Sequence, residues 1–275
     1  MRLFVSLLFT VSVLMACQKK EVDRQIGSVQ LSFDNRVGNR DLALGTGTYQ
    51  NKSGETFTIT RFDYFISNIR LLQADGSSYT VPQNDSYFLV READSTSQKI
   101  TISNVPAGEY TQLEYMVGVD SLRNTADVGQ RTGVLDPAGS HTSGMYWDWN
   151  TGYIHLKMEG TSPQAPLDAT GNRNFRYHIG LFGGYQTPTL NNLRTVRVSL
   201  TGSGTSGVGK GVQIGNVLSE TTLVTVNVDA GKLFDGPTPI RIATYPDVMV
   251  SPISAAIASN YATMFSFKAS AFVSR

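Results

Sequence analysis

Residues 66–81 read ISNIRLLQADGSSYTV, and this stretch decides the class of fold. Apolar and polar side chains alternate on both sides of Asp75-Gly76, which is the pattern of a strand with one buried face. Asp-Gly is a strong signal for a two-residue hairpin turn, because both turn positions favour a positive φ. We therefore predict a β-hairpin here, with strands over residues 66–72 and 79–81.

Similar short runs recur along the chain, separated by turn residues at the spacing typical of a sandwich or barrel. The further predicted strands cover residues 28–33, 57–60, 87–90, 99–102, 111–119, 152–158, 175–182, 195–200 and 223–228. Strands do not alternate with helices, which argues against a doubly wound sheet. We predict an all-β fold, a single antiparallel β-sandwich of the immunoglobulin-like or jelly-roll-like kind.

Helical periodicity is limited to two short segments near the C-terminus, residues 229–234 and 252–264. In the second, one helix face would carry Ile253, Ile257, Tyr261 and Met264. We expect short helical turns at both places.

Composition bounds the class of protein. The 275 residues are 40% hydrophobic, which is enough for a buried core and argues against intrinsic disorder. The 23 Lys and Arg nearly balance the 22 Asp and Glu, so the chain lacks the basic excess of a nucleic-acid binder. One Cys excludes an internal disulfide and a Cys-rich zinc site.

The N-terminus resembles a bacterial lipoprotein signal. Met1-Arg2 precedes an apolar run over residues 3–15 that is too short to span a bilayer as a mature helix. The run ends in Leu14-Met15-Ala16-Cys17, which resembles a lipobox, in which the Cys receives a lipid. An ordinary secretory signal followed by a chance Cys is the alternative.

These features predict a signal peptide over residues 1–16, lipidation at Cys17, a tether over residues 17–27 and one β-sandwich domain over residues 28–275. Gln18 replaces the Asp that usually retains lipoproteins at the inner membrane. We therefore expect a lipoprotein anchored to the outer membrane, on its periplasmic or cell-surface side.

Both Trp residues lie in one aromatic segment, GMYWDWNTGY, at residues 144–153. In an extended chain Trp147 and Trp149 would share a face with Met145, while Tyr146 and Asp148 would take the other face. The ordinary interpretation is an aromatic cluster that anchors the core. The competing interpretation is an oxidisable Trp beside His and Met.

Three histidines are the candidate metal ligands, since Cu(I) favours imidazole and soft sulfur. His141 lies in the loop before the Trp segment, His178 lies in a predicted strand, and His155 lies in another strand on the face of Tyr153. Each of them alone is better explained as an ordinary packed or surface histidine than as a ligand. Sulfur from Met145 is a further candidate ligand, although a Met beside Trp usually packs.

An enzyme has weaker support. A hydrolytic carboxylate pair could come from Asp120, Asp127, Asp136, Asp148 and Glu159, but the sequence does not show that two of them converge. The oxygen ligands Asp120, Asn124 and Asp127 could hold Ca²⁺, although a turn with solvated carboxylates explains them better. No Gly-x-Ser-x-Gly motif exists and Cys17 is assigned to the lipid, so we expect no enzyme activity.

The chain resembles the MbnP-like family, copper-associated periplasmic and surface proteins found with a di-haem oxidase in methanobactin operons. The resemblance covers most of the mature chain and rests on six ordered blocks: YFISNI (64–69), VPAGEY (105–110), GVDS (118–121) with Asn124, the Trp segment (144–153), YHIG (177–180) and ASNYATMF (258–265).

The resemblance implies a β-rich fold, copper binding through His and, in some members, a Trp oxidised to kynurenine by the haem partner. His178 occupies the place of a family ligand. We therefore expect Cu(I) at His178, with His141 or Met145 as companion ligands. Trp147 or Trp149 is the candidate for oxidation by a di-haem cytochrome c peroxidase-like protein.

One departure from the family pattern bears on the metal. Family members often carry His soon after a Phe-Asp in the first strand, where this chain has Phe33-Asp34-Asn35. An amide is a poor replacement ligand for copper. The alternative is a lipid-anchored binding or scaffold module that keeps the fold without the metal, and the two hypotheses differ in whether His178 and the Trp segment meet in space.

Overall fold

The fold is described by a computed structural model over residues 25–139, 144–147, 150, 152–202, 210–215 and 220–274. The predictions that concern Cys17, His141, Asp148 and Trp149 lie outside these residues.

The described chain contains strands of very different length and three short α-helices. The strands are β1 (Ile26–Val37), β2 (Arg40–Asp41), β3 (Tyr49–Gln50), β4 (Thr56–Leu72), β5 (Ser78–Thr80), β6 (Tyr87–Arg91), β7 (Lys99–Pro106), β8 (Gly108–Tyr110), β9 (Gln112–Val117), β10 (Tyr146–Trp147), β11 (Gly152–Tyr153), β12 (Leu156–Thr161), β13 (Asn174–Ile179), β14 (Arg194–Ser199), β15 (Val212–Ile214), β16 (Glu220–Asp229), β17 (Asp247–Val248) and β18 (Phe265–Ser274). The helices are α1 (Ser121–Asn124), α2 (Lys232–Asp235) and α3 (Ser254–Tyr261), and 3-10 turns cover Gln83–Asp85, Val128–Gln130 and Gly133–Leu135. Across the described ranges, no helix is both long and apolar enough to cross a membrane.

Two sheets face each other. The smaller has the order β18-β16-β1-β2, with β7 also paired to β1. The larger has the order β14-β9-β4-β12-β13-β17, with β3, β5 and β6 also paired to β4. The 17-residue strand β4 therefore organises the larger sheet.

Aromatic side chains join the two sheets in the core. Phe33 of the smaller sheet meets Tyr64 and Tyr115 of the larger one, with ring centroids 6.2 and 6.0 Å apart. Phe265 packs on the same two tyrosines from β18. A second, smaller core cluster contains Phe65, Tyr87, Leu89, Val119, Leu135, Met145, Tyr153 and Ile154.

The all-β prediction is confirmed, as are the short helices near the C-terminus. Helix α3 buries Ile257 and Tyr261, as the periodicity predicts. Two strand pairs, β1 with β16 and β13 with β17, are parallel and so depart from the antiparallel expectation.

The hairpin at Asp75-Gly76 forms, but with a different turn from the one expected. Leu72 pairs with Ser78, and the amide of Gln73 donates to the carbonyl of Ser77, so three residues make the loop. Within it only Gly76 has a positive φ, at 86°. A type I turn followed by a left-handed Gly explains this geometry.

Strand β18 was not predicted from the sequence. It reads FSFKASAFVS, in which Ala, Ser and Lys have low strand propensity. Its pairing with β16 over Glu220–Val228 provides the stabilising contacts that local propensity lacks.

Candidate functional site

One row of polar side chains crosses the outer face of the larger sheet. Strand register places Arg91, Asp63, Lys157 and His178 side by side on β6, β4, β12 and β13. Their chain neighbours, such as Tyr64 and Leu156, lie in the core. Because successive side chains of a strand alternate between faces, the row points away from the core. We call these four residues the outer row.

The centre of the outer row is buried although it is charged. Asp63 is 2% exposed, with Arg61 Nε at 2.7 Å and Arg91 Nε at 3.9 Å from its Oδ2. Lys157 is 5% exposed, and its ammonium donates to the carbonyl of Gly144. Burial lowers the pKa of Lys157, and the positive charge of Arg61 adds to this effect.

His178 is oriented by a carboxylate. Its Nε2 lies 2.6 Å from Oε1 of Glu159. Burial lowers the pKa of His178, and Lys157 adds to this lowering while Glu159 opposes it, so the ring is neutral near pH 7. Because an ionised carboxylate only accepts hydrogen bonds, the neutral ring carries its proton on Nε2 and its lone pair on Nδ1. A metal-binding histidine is commonly oriented in this way.

The Trp segment lies over the same face of β12 and β13. Gly144 accepts the bond from Lys157, and Trp147 packs on Gly180, two residues after His178. A Cβ built on Gly180 would lie 2.8 Å from Cζ3 of Trp147, so this contact requires glycine. Trp147 therefore contacts the chain two residues after His178.

Met145 lies in the core, whereas a copper ligand has to reach the metal together with His178. Its side chain is fully buried in the second core cluster, and its carbonyl accepts from the amide of Ile154. Tyr146 and Trp147 both pack against the same cluster, so the alternation expected for an extended Trp segment does not hold. The short β10-β11 hairpin folds over the cluster and presents both side chains to it.

His155 lies apart from the outer row, in a closed environment. It has no exposed surface, and among the described residues neither ring nitrogen meets a partner at full hydrogen-bond geometry. A Cβ on Gly118 would lie 2.7 Å from its ring, so glycine is needed for the ring to fit. Burial lowers the pKa of His155 to about 4, so the ring is neutral at pH 7. The structure therefore supports the interpretation of His155 as a packed histidine.

Asn35 lies on the opposite side of the larger sheet from His178. Its side chain accepts a hydrogen bond from the hydroxyl of Tyr64, in the core, and donates to Glu92 at 2.9 Å. Burial raises the pKa of Glu92 to about 6. A residue at position 35 therefore cannot share a ligand sphere with His178 across the sheet.

Among the described candidate carboxylates, Asp120, Asp136 and Glu159 each have separate hydrogen-bond partners. Asp120 caps α1 and accepts from Tyr87, Asn68 and Gln83. Asp136 accepts from the amide of Ala138, and Glu159 faces His178. In the part of the chain that the structure describes, no three His, Cys, Asp or Glu side chains converge as a metal cluster.

Sequence reasoning missed the other buried members of the outer row. Asp63 and Lys157 are charged residues with apolar residues on both sides in the chain, and this interruption was the available signal. Their alignment with His178 depends on the register of three strands that are remote in sequence.

The fold and the outer row define an all-β sandwich protein with a His–Glu pair beside a surface-packed Trp. The family model for MbnP matches residues 26–250, and the chain belongs to this family. The structure is similar to that of MbnP from Methylosinus trichosporium, with a TM-score of 0.52 and 16% sequence identity over 79% of this chain and 80% of that one. This likeness concerns the fold. No curated protein matches the sequence.

Proposed function

We propose that this MbnP family member is a lipid-anchored, extracytoplasmic copper-binding protein without catalytic activity of its own. In this proposal His178 is the first Cu(I) ligand, Cys17 carries the lipid at the outer membrane, and a di-haem peroxidase-like partner oxidises Trp147 or Trp149.

The proximity of Trp147 to His178 carries this proposal. Trp147 packs on Gly180, so an indole contacts the chain two residues from the histidine that we assign to the metal. Glu159 fixes the ring and leaves the Nδ1 lone pair for a ligand bond. Copper there would supply a redox-active centre near the indole.

The described residues supply only part of a copper site. His178 and Glu159 offer one imidazole and one carboxylate oxygen, whereas Cu(I) prefers two or three imidazole or sulfur ligands. Met145 packs in the second core cluster. The proposal therefore needs His141, which precedes Gly144 closely in the chain and lies outside the described residues.

The alternative is a binding or scaffold module that keeps the fold without copper. The contacts around the outer row support it, because Lys157 already donates to the carbonyl of Gly144 and His178 already bonds to Glu159. In this case the row stabilises the Trp segment, and metal plays no part.

Titration with Cu(I) against a competing chelator distinguishes the two functions. We expect the wild-type protein to bind one Cu(I) in preference to Zn²⁺, and His178→Ala to retain only weak binding. Glu159→Gln should weaken binding by roughly 10- to 100-fold, the usual cost of losing a residue that orients a metal ligand.

The matched control is His155→Leu, because His155 is the other histidine within the described residues and is fully buried. It should leave Cu(I) affinity unchanged. Equal, weak affinity in wild type and His178→Ala would favour the scaffold alternative. Mass spectrometry of the peptide that holds Trp147 and Trp149, isolated from the native source, tests the oxidation separately.

A further inference from the structure

Three exposed apolar side chains lie near the end of the smaller sheet where the described chain begins. Ile26 of β1 is 38% exposed, and Phe272 and Val273 of β18 are 53% and 36% exposed. Val29 pairs with Thr222, and Thr222 pairs with Phe272, so Phe272 lies level with Val29 across β16 near this end. Val273, the next residue of β18, points to the opposite face of the strand. Two strand spacings separate β1 from β18, about 10 Å. We call Ile26, Phe272 and Val273 the apolar end.

The strand segments around the apolar end contain few charged residues. Residues 26–33 read IGSVQLSF, and residues 269–273 read ASAFV. Lys268, the one charged residue of β18, is bound to Asp34 at 2.7 Å, further along the sheet. Moving this end into a lipid headgroup region therefore requires little desolvation of charge. The next residue of β18, Ser274, pairs with the charged residue Glu220. We therefore end the apolar end at Val273.

The tether joins the fold at the same end. The carbonyl of Gln25 accepts from the amide of Ala107, which fixes the start of β1. Cys17 precedes Gln25 by eight residues, a contour of at most about 29 Å. A lipid on Cys17 would hold this end, and not the opposite one, close to the bilayer.

We propose that the apolar end is a membrane-contact surface that rests on the lipid headgroups of the bilayer in which Cys17 is anchored. This inference rests on the anchoring part of the proposed function. Phe272 and Val273 enter the interface, where aromatic and aliphatic side chains are favourable. Within the described chain β18 is hydrogen-bonded to β16, and β14 packs beside β18 without pairing to it.

This orientation directs the outer row away from the bilayer. Tyr64, next to Asp63 in β4, contacts Asn35, and nine residues of β1 separate Asn35 from Ile26. At the rise of a strand this is about 30 Å. His178 and Trp147 would then face the aqueous side, where a partner protein can reach them.

A single-thiol probe tests the surface, since Cys17 is the only cysteine and the lipid would block it. Val273→Cys in the full lipidated chain is labelled with an environment-sensitive nitrobenzoxadiazole dye and reconstituted into phosphatidylethanolamine–phosphatidylglycerol vesicles. The control is Tyr185→Cys, at a site 65% exposed in the native chain. We expect a blue shift and a several-fold loss of iodide quenching at position 273, and neither at position 185.

Adding Phe272→Ser to the labelled Val273→Cys chain should return the dye to a water-like emission while the protein still floats with the vesicles. Flotation reports the anchor, and dye emission reports the contact. Water-like emission at position 273 in floating protein would overturn the contact and leave anchoring intact. Failure to float would overturn the anchor and, with it, the basis of this inference.

Discussion

Trp147 packs against Gly180 so closely that a single methyl group there would lie 2.8 Å from the indole. The same methyl would lie 2.9 Å from the carbonyl oxygen of Tyr153. The position of the indole against β13 therefore depends on the absence of a side chain at position 180.

Gly180→Ala should displace Trp147 and destabilise the protein by about 1–3 kcal/mol, the usual cost of overpacking. Chemical denaturation measures the loss, and a red shift of tryptophan fluorescence reports the displacement. Gly129→Ala is the control, because a Cβ there meets nothing within 4 Å. Equal stability of the two variants would contradict the close contact.

The charges around His178 should shift its titration in opposite directions. Lys157 lowers the pKa of His178 and Glu159 raises it. Lys157→Met should therefore raise the pKa of His178, and Glu159→Gln should lower it. NMR titration of the metal-free protein measures both shifts, and shifts of the same sign would contradict the geometry of the outer row.

The buried ring of His155 should make stability depend on pH. Its pKa is about 4 in the folded state and about 6.5 when unfolded, so the unfolded chain binds the extra proton between these values. Stability attributable to His155 is complete above pH 6.5 and is lost as the pH falls to 4, by a total on the order of 3 kcal/mol.

His155→Leu isolates this effect from that of Glu92. The raised pKa of Glu92 acts in the opposite sense. In the folded protein Glu92 keeps its proton up to about pH 6, so the stability that it contributes is lost as the pH rises through that value. Denaturation of wild type and His155→Leu between pH 4 and 7 gives the difference. A difference in unfolding free energy that does not change with pH would show that the ring is not buried as described.

Replacement of the single cysteine tests the predicted anchor. Cys17→Ala should release the protein from membranes or block its maturation, because the lipid is the anchor that the sequence predicts. Cell fractionation followed by immunoblotting measures the distribution. Ser6→Ala, within the apolar run of the signal, serves as a control that leaves Cys17 intact. Membrane retention of Cys17→Ala equal to that of the control would exclude lipidation as the anchor.

The sequence by itself determined the features that depend on local pattern. Alternation and turn residues predicted the hairpin around Asp75-Gly76 and the all-β class, and helical periodicity predicted α3. Six short blocks were enough to indicate the MbnP family, which the family model confirms over residues 26–250. These signals are readable because each one lies within a few consecutive residues.

Only the tertiary structure decided which residues meet. The row of Arg91, Asp63, Lys157 and His178 exists because four strands that are distant in sequence align in register. A shift of one residue in any pairing would send these side chains to the opposite face. The same non-local pairing formed β18 against its own propensity and placed Asn35 across the sheet from His178. Periodicity in the sequence shows that a strand has one apolar and one polar face. Which other strand pairs with it is decided by the packing of the two sheets against each other.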